Sequence, residues 1–154
     1  MLNESIRNNE VKIFFHKSFP VEIKSNSSFD YVRLDKNEFE NLDESKMVLT
    51  AELNSEGKVL AKNSFFFKEP KDLDLERPDI KISAVRNSGG YELKLSTNKF
   101  AKDVYLSFNN EKGFFTDNYF DLFPGEVKMV KLNTANEIKD IDQKIKIISL
   151  VDSY

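Results

Sequence analysis

The sequence predicts an all-β fold, and three observations carry that prediction. Apolar and polar residues alternate at period two along most of the chain, as half-buried strands require. Short Gly-bearing turns separate the alternating segments. Apolar stripes at i, i+3, i+4 spacing are scarce, and only Glu38 to Glu44, with Phe39 and Leu42 three apart, reads as a short helix.

The elements follow in chain order. Phe29 and Tyr31 share one face and Val32 and Leu34 the other, so a strand here would change phase. Met47 to Leu53 and Lys58 to Phe67 flank Asn54-Ser55-Glu56-Gly57 and predict a hairpin, with Gly57 supplying a positive φ. Ile80, Ile82 and Ala84 alternate with Lys81 and Ser83. Asn87-Ser88-Gly89-Gly90 is a second hairpin turn, after which Tyr91, Leu93 and Leu95 point one way. Val104, Leu106 and Phe108 form the next inward set. In Phe123-Pro124-Gly125-Glu126, Pro124 fixes φ and Gly125 allows a positive one, which suits a tight turn into a strand from Val127. Val127 and Met129 give way to Val130 and Leu132, a switch of phase that suggests a bulge or a strand covered on both faces. Ile145 and Ile147 alternate with Lys144 and Lys146, and Ile148 and Leu150 take the opposite phase.

A boundary falls near Pro70 to Pro78, a charged stretch with two of the four prolines. Residues 71–78 read as a linker. Residues 79–154 offer six or seven strands with frequent turns, the pattern of an immunoglobulin-like β-sandwich without its Cys and Trp core. Residues 1–70 offer four or five strands, which is short for a complete sandwich. The fold class is therefore all-β: two immunoglobulin-like β-sandwich units, the first a candidate for truncation. No repeat relates the two halves.

Composition removes most function classes. A chain of 154 residues makes one domain or two small ones. Lys and Arg number 23 and Asp and Glu 26, for a net charge of −3. A mildly acidic chain without a basic stretch predicts no nucleic-acid partner. No run of about 18 apolar residues predicts a membrane span. Met1-Leu2-Asn3-Glu4-Ser5 lacks the basic and apolar regions of a signal peptide. There is no cysteine, which excludes disulfides, a thiolate zinc site and a cysteine nucleophile. The single histidine, His16, cannot build a histidine metal site, and no G-x-S-x-G surrounds a serine. No Gly-rich phosphate loop exists among five glycines. Composition and motifs point to a non-catalytic module with no cofactor and no metal.

Several residues invite a functional reading beside a plainer one. Asp117, Asn118 and Asp121 are dense enough in oxygen ligands for calcium, although turn chemistry explains the same residues and is favoured. Asp72 and Asp74 read as solvated charges before ligands. His16, among Phe14, Phe15 and Phe19, reads as a partly covered strand histidine rather than a base, because no partner is evident. No motif singles out a glycosidase carboxylate pair among 26 acids. Tyr91, Tyr105 and Tyr119 could stack on sugar rings or a protein, while most of the 14 Phe are expected in the core. The absence of Trp weakens a sugar-stacking platform. Phe65-Phe66-Phe67 leaves no face of its strand purely polar and suggests packing on a neighbouring domain or partner. Asn3-Glu4-Ser5 and Asn26-Ser27-Ser28 match the glycosylation sequon, as Asn-rich chains do by chance.

Two stretches carry a family resemblance. They are Ser96-Thr97-Asn98-Lys99-Phe100-Ala101-Lys102-Asp103-Val104-Tyr105-Leu106 and Gly113-Phe114-Phe115-Thr116-Asp117-Asn118-Tyr119-Phe120-Asp121-Leu122-Phe123-Pro124-Gly125-Glu126. Together they resemble the C-terminal immunoglobulin-like domain of family 2 β-mannosidases, which typically reads F-x-D-N-x-F-D-L-x-P-G-E there. Ile148 to Tyr154 resembles the family's C-terminus. Ala51-Glu52-Leu53, Gly57 to Leu60 and Phe66 to Leu75 resemble the end of the preceding immunoglobulin-like domain. The resemblance covers residues 46–154 well and the start weakly.

It implies a parent enzyme that hydrolyses terminal β-mannose with retention, using two glutamates on a TIM barrel. The barrel has no counterpart here, so no catalytic residue is carried over. The first functional expectation is a non-catalytic accessory segment whose partners are the catalytic barrel and other domains of the parent, with a homo-oligomer as a further partner. The alternative is a stand-alone carbohydrate- or protein-binding β-sandwich module. An adhesion-like pair of domains fits the fold but not the motif.

Overall fold

Alternation in the sequence becomes paired strands in the computed structural model, which describes residues 5–7, 10–12, 15–108 and 112–154. The chain divides between Asp74 and Leu75 into two units.

In the first unit, Ser5–Arg7 (β1) and Glu10–Lys12 (β2) form one two-stranded sheet, and Val48–Ser55 (β3) and Lys58–Phe66 (β4) another. Ser55 lies opposite Lys58, so Glu56 and Gly57 make a two-residue turn. Their φ values, 49° and 74°, are those of a primed turn that matches the strand twist. The register shifts between Leu53 and Asn54, where the hairpin bulges. Among the described residues of this unit, Met47, Val48 and Leu73 are buried. Phe15, Phe39, Phe67 and Phe65 extend this apolar set as a chain of rings with centroids 5.7, 5.5 and 5.2 Å apart.

Two expectations fail in this unit. The helix expected over Glu38 to Glu44 is a pair of 3₁₀ turns, Lys36–Phe39 and Glu44–Lys46. Each is started by an aspartate: Asp35 accepts from the Asn37 N–H at 2.9 Å and Asp43 from the Ser45 N–H at 3.0 Å. Two caps eight residues apart leave no room for an α-helix between them. Residues 29–34 form no strand, and Phe29 and Tyr31 stay exposed. The change of phase there marks an irregular segment.

Among its described residues the second unit is a sandwich of seven strands. Ile80–Asn87 (β5), Gly90–Thr97 (β6), Lys128–Asn133 (β10) and Phe114–Phe115 (β8) form one sheet in the order β5-β6-β10-β8. Ala101–Phe108 (β7), Phe120–Leu122 (β9) and Ile145–Ile148 (β11) form the other in the order β11-β7-β9. The core lies between them. Tyr91, Leu93, Leu95, Val130 and Leu132 come from the first sheet, and Ala101, Val104, Leu106, Phe120, Leu122 and Ile145 from the second. Leu93 lies opposite Val130 and Tyr91 opposite Leu132, so one register places both sets inward. Burying each Leu or Val stabilises the unit by roughly 1.5–3 kcal/mol.

The β5–β6 turn explains one glycine. Gly90 has φ 141°, and a Cβ there would stand 2.0 Å from the Leu132 carbonyl oxygen. Only glycine lets β10 approach this closely.

The phase switch at Val127 has a simpler origin than a bulge or a doubly covered strand. β10 keeps an unbroken register against β6, Val130 and Leu132 are buried, and Met129 is half exposed on the outer face. Val127 precedes the strand. A second switch, at Ile148, is where β11 ends and a 3₁₀ turn over Leu150–Ser153 begins. A single helical turn, Ile141–Lys144 (α1), was not legible in the alternation; it buries Ile141 alone.

Candidate functional site

The segment Asp117 to Glu126 combines the densest polar motif with the sharpest backbone turns, and it links β8 to β10 through β9. β7 pairs with β9 through Ala101–Leu122 and Val104–Phe120, with a register shift between them. The shift is made by Asp103, which is left-handed at φ 51°. Beyond Phe120 the backbone turns away through Tyr119, itself left-handed at φ 58°. The Asn118 side chain then continues the ladder. Its Oδ1 accepts from the Leu106 N–H at 2.7 Å and its Nδ2 donates to the Leu106 carbonyl at 3.1 Å.

The two aspartates of the motif also have local partners. Asp117 pairs with Lys128 at 2.5 Å. Asp121 accepts from the Asp103 N–H at 3.2 Å and lies 3.7 Å from Lys102 Nζ. Lys102 also donates to Asp103 at 3.2 Å. Burial pushes the Asp121 carboxyl above its ordinary range, while the Asp103 N–H and the Lys102 charge pull it back. Phe120, Leu122 and Phe123 are buried, and Phe123 packs on Phe100 with centroids 4.8 Å apart. The Glu126 N–H donates to the Phe123 carbonyl at 3.1 Å, closing the Pro124-Gly125 turn with Gly125 at φ 81°.

The three candidate calcium ligands are thus turned to three different partners: a lysine, a backbone peptide and a backbone N–H. Among the described residues, no group of three or more His, Asp or Glu is arranged to hold a metal. Turn and ladder chemistry explains the motif.

The remaining candidates separate cleanly. His16 is exposed in a stretch that forms no strand, which corrects the partly covered strand histidine expected from its phenylalanine neighbours. Asp72 is exposed, and Asp74 pairs with Lys46 at 2.9 Å. Tyr91 is no surface platform. It is buried, its hydroxyl accepts from the Ile138 N–H at 2.7 Å and donates to the Ile138 carbonyl at 3.1 Å, and the Arg86 guanidinium lies over its ring. Tyr105 and Tyr119 stay together at the surface, with ring centroids 5.0 Å apart. Phe65 is exposed while Phe67 packs on Phe39, so the Phe65–Phe67 run feeds a ring cluster within its own unit. Of the sequons, Asn3 lies outside the described residues and Asn26 is exposed at a left-handed turn.

Two features escaped the sequence. One is the Lys102–Asp103–Asp121 cluster; no spacing rule links a strand lysine to a carboxylate 19 residues on, although Lys-Asp next to the motif was a faint signal. The other is a groove of about 710 Å³ in the first unit, lined by Phe19, Val21, Ile23, Tyr31, Leu53 and Leu60 among others. No helix is long and apolar enough to cross a membrane, among the described residues.

Residues 75–153 match the Ig_mannosidase family model, an Ig-fold domain. The chain belongs to the Ig_mannosidase family. Its first part, residues 5–72, matches the Mannosidase_ig model, a mannosidase Ig/CBM-like domain. The expected resemblance to the immunoglobulin-like region of mannosidases is therefore correct. Among solved structures, a β-D-mannosidase from Dictyoglomus thermophilum has a similar fold. It superposes with a TM-score of 0.74 over 96% of this chain at 21% identity. The chain spans 18% of the length of that structure. A search of curated proteins gave no match. In this Ig_mannosidase domain, the D-N-x-F-D-L-x-P-G-E motif holds one sandwich corner together.

Proposed function

We propose that the chain is a non-catalytic C-terminal β-sandwich segment of a β-mannosidase whose parent hydrolyses terminal non-reducing β-D-mannose residues. Its role is to support the catalytic barrel, and its partners are that barrel and the parent's other domains. One observation carries the reading: two mannosidase-type immunoglobulin-like models match one after the other along the chain. The similar fold in a β-D-mannosidase more than five times as long supports it. So does the site chemistry, since Asp117, Asn118 and Asp121 are occupied by lysine and backbone partners. The apolar groove of the first unit, with Phe19, Ile23 and Leu60 exposed, fits a partial sandwich that other parental domains cover.

The test is hydrolysis of an aryl β-mannoside by the purified chain. The reading expects no turnover above a buffer blank. Turnover that follows the chain through purification would refute it.

A further inference from the structure

The outer face of the three-stranded sheet carries an aromatic pair that the core does not use. Val104 and Leu106 are buried, so Tyr105 and Ser107 point outward. Tyr105 lies opposite Ile148 and Ser107 opposite Lys146 across the β7–β11 ladder. Tyr119 leans on Tyr105 with centroids 5.0 Å apart and planes at 33°, and it remains 68% exposed. Among the described residues, neither phenol hydroxyl has a hydrogen-bond partner.

The backbone holds this display under strain. A bulky residue is disfavoured in the left-handed region and persists there only where the surroundings impose it. Here the Tyr119 N–H donates to the Val104 carbonyl at 2.8 Å, while Asn118 and Phe120 on either side are fixed by the ladder and the core. Neither contact needs an aromatic ring at position 119; glycine would meet both with less strain.

We propose that Tyr119, backed by Tyr105, is a stacking platform for a neutral hexopyranose unit of a glycan. An aromatic face attracts the weakly positive C–H face of a pyranose, and the two free hydroxyls are placed to bond the sugar's hydroxyls. Tyr105 stands on β7 and the Tyr119 N–H is bonded to the same strand at Val104, which keeps the pair pre-formed. The neighbouring charges suit a neutral ligand, because Asp117 pairs with Lys128 and Lys102 lies between Asp103 and Asp121, so the face carries no dense charge of one sign. The size suits a sugar as well. One exposed ring is far short of the roughly 800 Å² per partner of a stable protein interface. The proposal concerns this chain's own surface and stands or falls apart from the parental role.

The experiment is a titration of the full ¹⁵N-labelled chain with β-1,4-linked mannotriose and, separately, cellotriose, to about 10 mM, a range that captures millimolar affinity. Saturable shifts are expected at residues 104–107, 117–120 and 146–148 with at least one sugar. Tyr119→Gly keeps the left-handed backbone, so it should melt at or above the parent temperature and bind at least about tenfold more weakly. Tyr119→Phe retains the ring and should bind with affinity between the two. Absence of shifts with both sugars, shifts confined to other residues, or unchanged affinity in a folded Tyr119→Gly would each overturn the proposal.

Discussion

Asn118 serves Leu106 as a strand would: its side-chain amide accepts from the Leu106 N–H at 2.7 Å and donates to the Leu106 carbonyl at 3.1 Å. β7 therefore keeps a full ladder on the side where β9 has already turned away. Asn118→Ala should lower the unfolding free energy of the second unit by about 1–3 kcal/mol, since two strand groups lose their partner. Urea melts followed by circular dichroism would measure it. A loss below about 0.5 kcal/mol, the scale of an ordinary surface change, would mean water replaces the amide.

Gly90 should tolerate no side chain. Gly90→Ala sets a Cβ 2.0 Å from the Leu132 carbonyl oxygen and 2.9 Å from the Thr134 nitrogen, both backbone atoms that cannot step aside. We expect a loss of about 3 kcal/mol or more, or no folded second unit. A native spectrum with an unchanged melting temperature would contradict the β6–β10 register.

Tyr91→Phe isolates one hydroxyl. That group is both acceptor and donor to Ile138, and it is buried. Its removal should cost about 1–3 kcal/mol, because a buried N–H and carbonyl lose their partner. Thermal melts of the variant would show this as a drop of several degrees. An equal melting temperature would place the 138 loop in water.

Asp121 should make the second unit gain stability on acidification. Burial raises its folded carboxyl above the ordinary 3.8, so folding disfavours the charged form. For a raised carboxyl, the stabilising contribution is fully present below the unfolded value and is lost as pH rises through the folded value. The penalty is thus carried at neutral pH and relieved as pH falls toward 3.8. Other carboxylates oppose this trend, so the readout is the difference between the wild type and Asp121→Asn. That difference, from urea midpoints across pH, should move in favour of the wild type as pH falls. A flat difference would show that Lys102 and the Asp103 N–H cancel the burial.

The fold was legible wherever one face of a strand meets the core. Ile80, Ile82 and Ala84, then Tyr91, Leu93 and Leu95, alternate because every second side chain enters the sandwich. Gly57 and Gly90 marked their turns because those backbones need freedom a side chain denies. Alternation misled where burial was lacking. Phe29 to Leu34 carries apolar residues at strand spacing but no neighbour to pair with. Met129 and Val127 interrupt the pattern only because the outer face admits apolar residues too. The site was half legible. The density of Asp117, Asn118 and Asp121 marked it, but the partners lay elsewhere in sequence: β7, 12 to 18 residues away, for Asn118 and Asp121, and Lys128 of β10 for Asp117.

The central claim, that this chain works as an accessory segment of a larger enzyme, is tested most directly by the size of the native protein in its source cells. An antibody raised against the chain would serve, with the captured material assayed on an aryl β-mannoside. We predict a band several times larger than 17.9 kDa that carries mannosidase activity. A band at the size of the chain itself, without activity, would contradict the claim and leave an independent binding module.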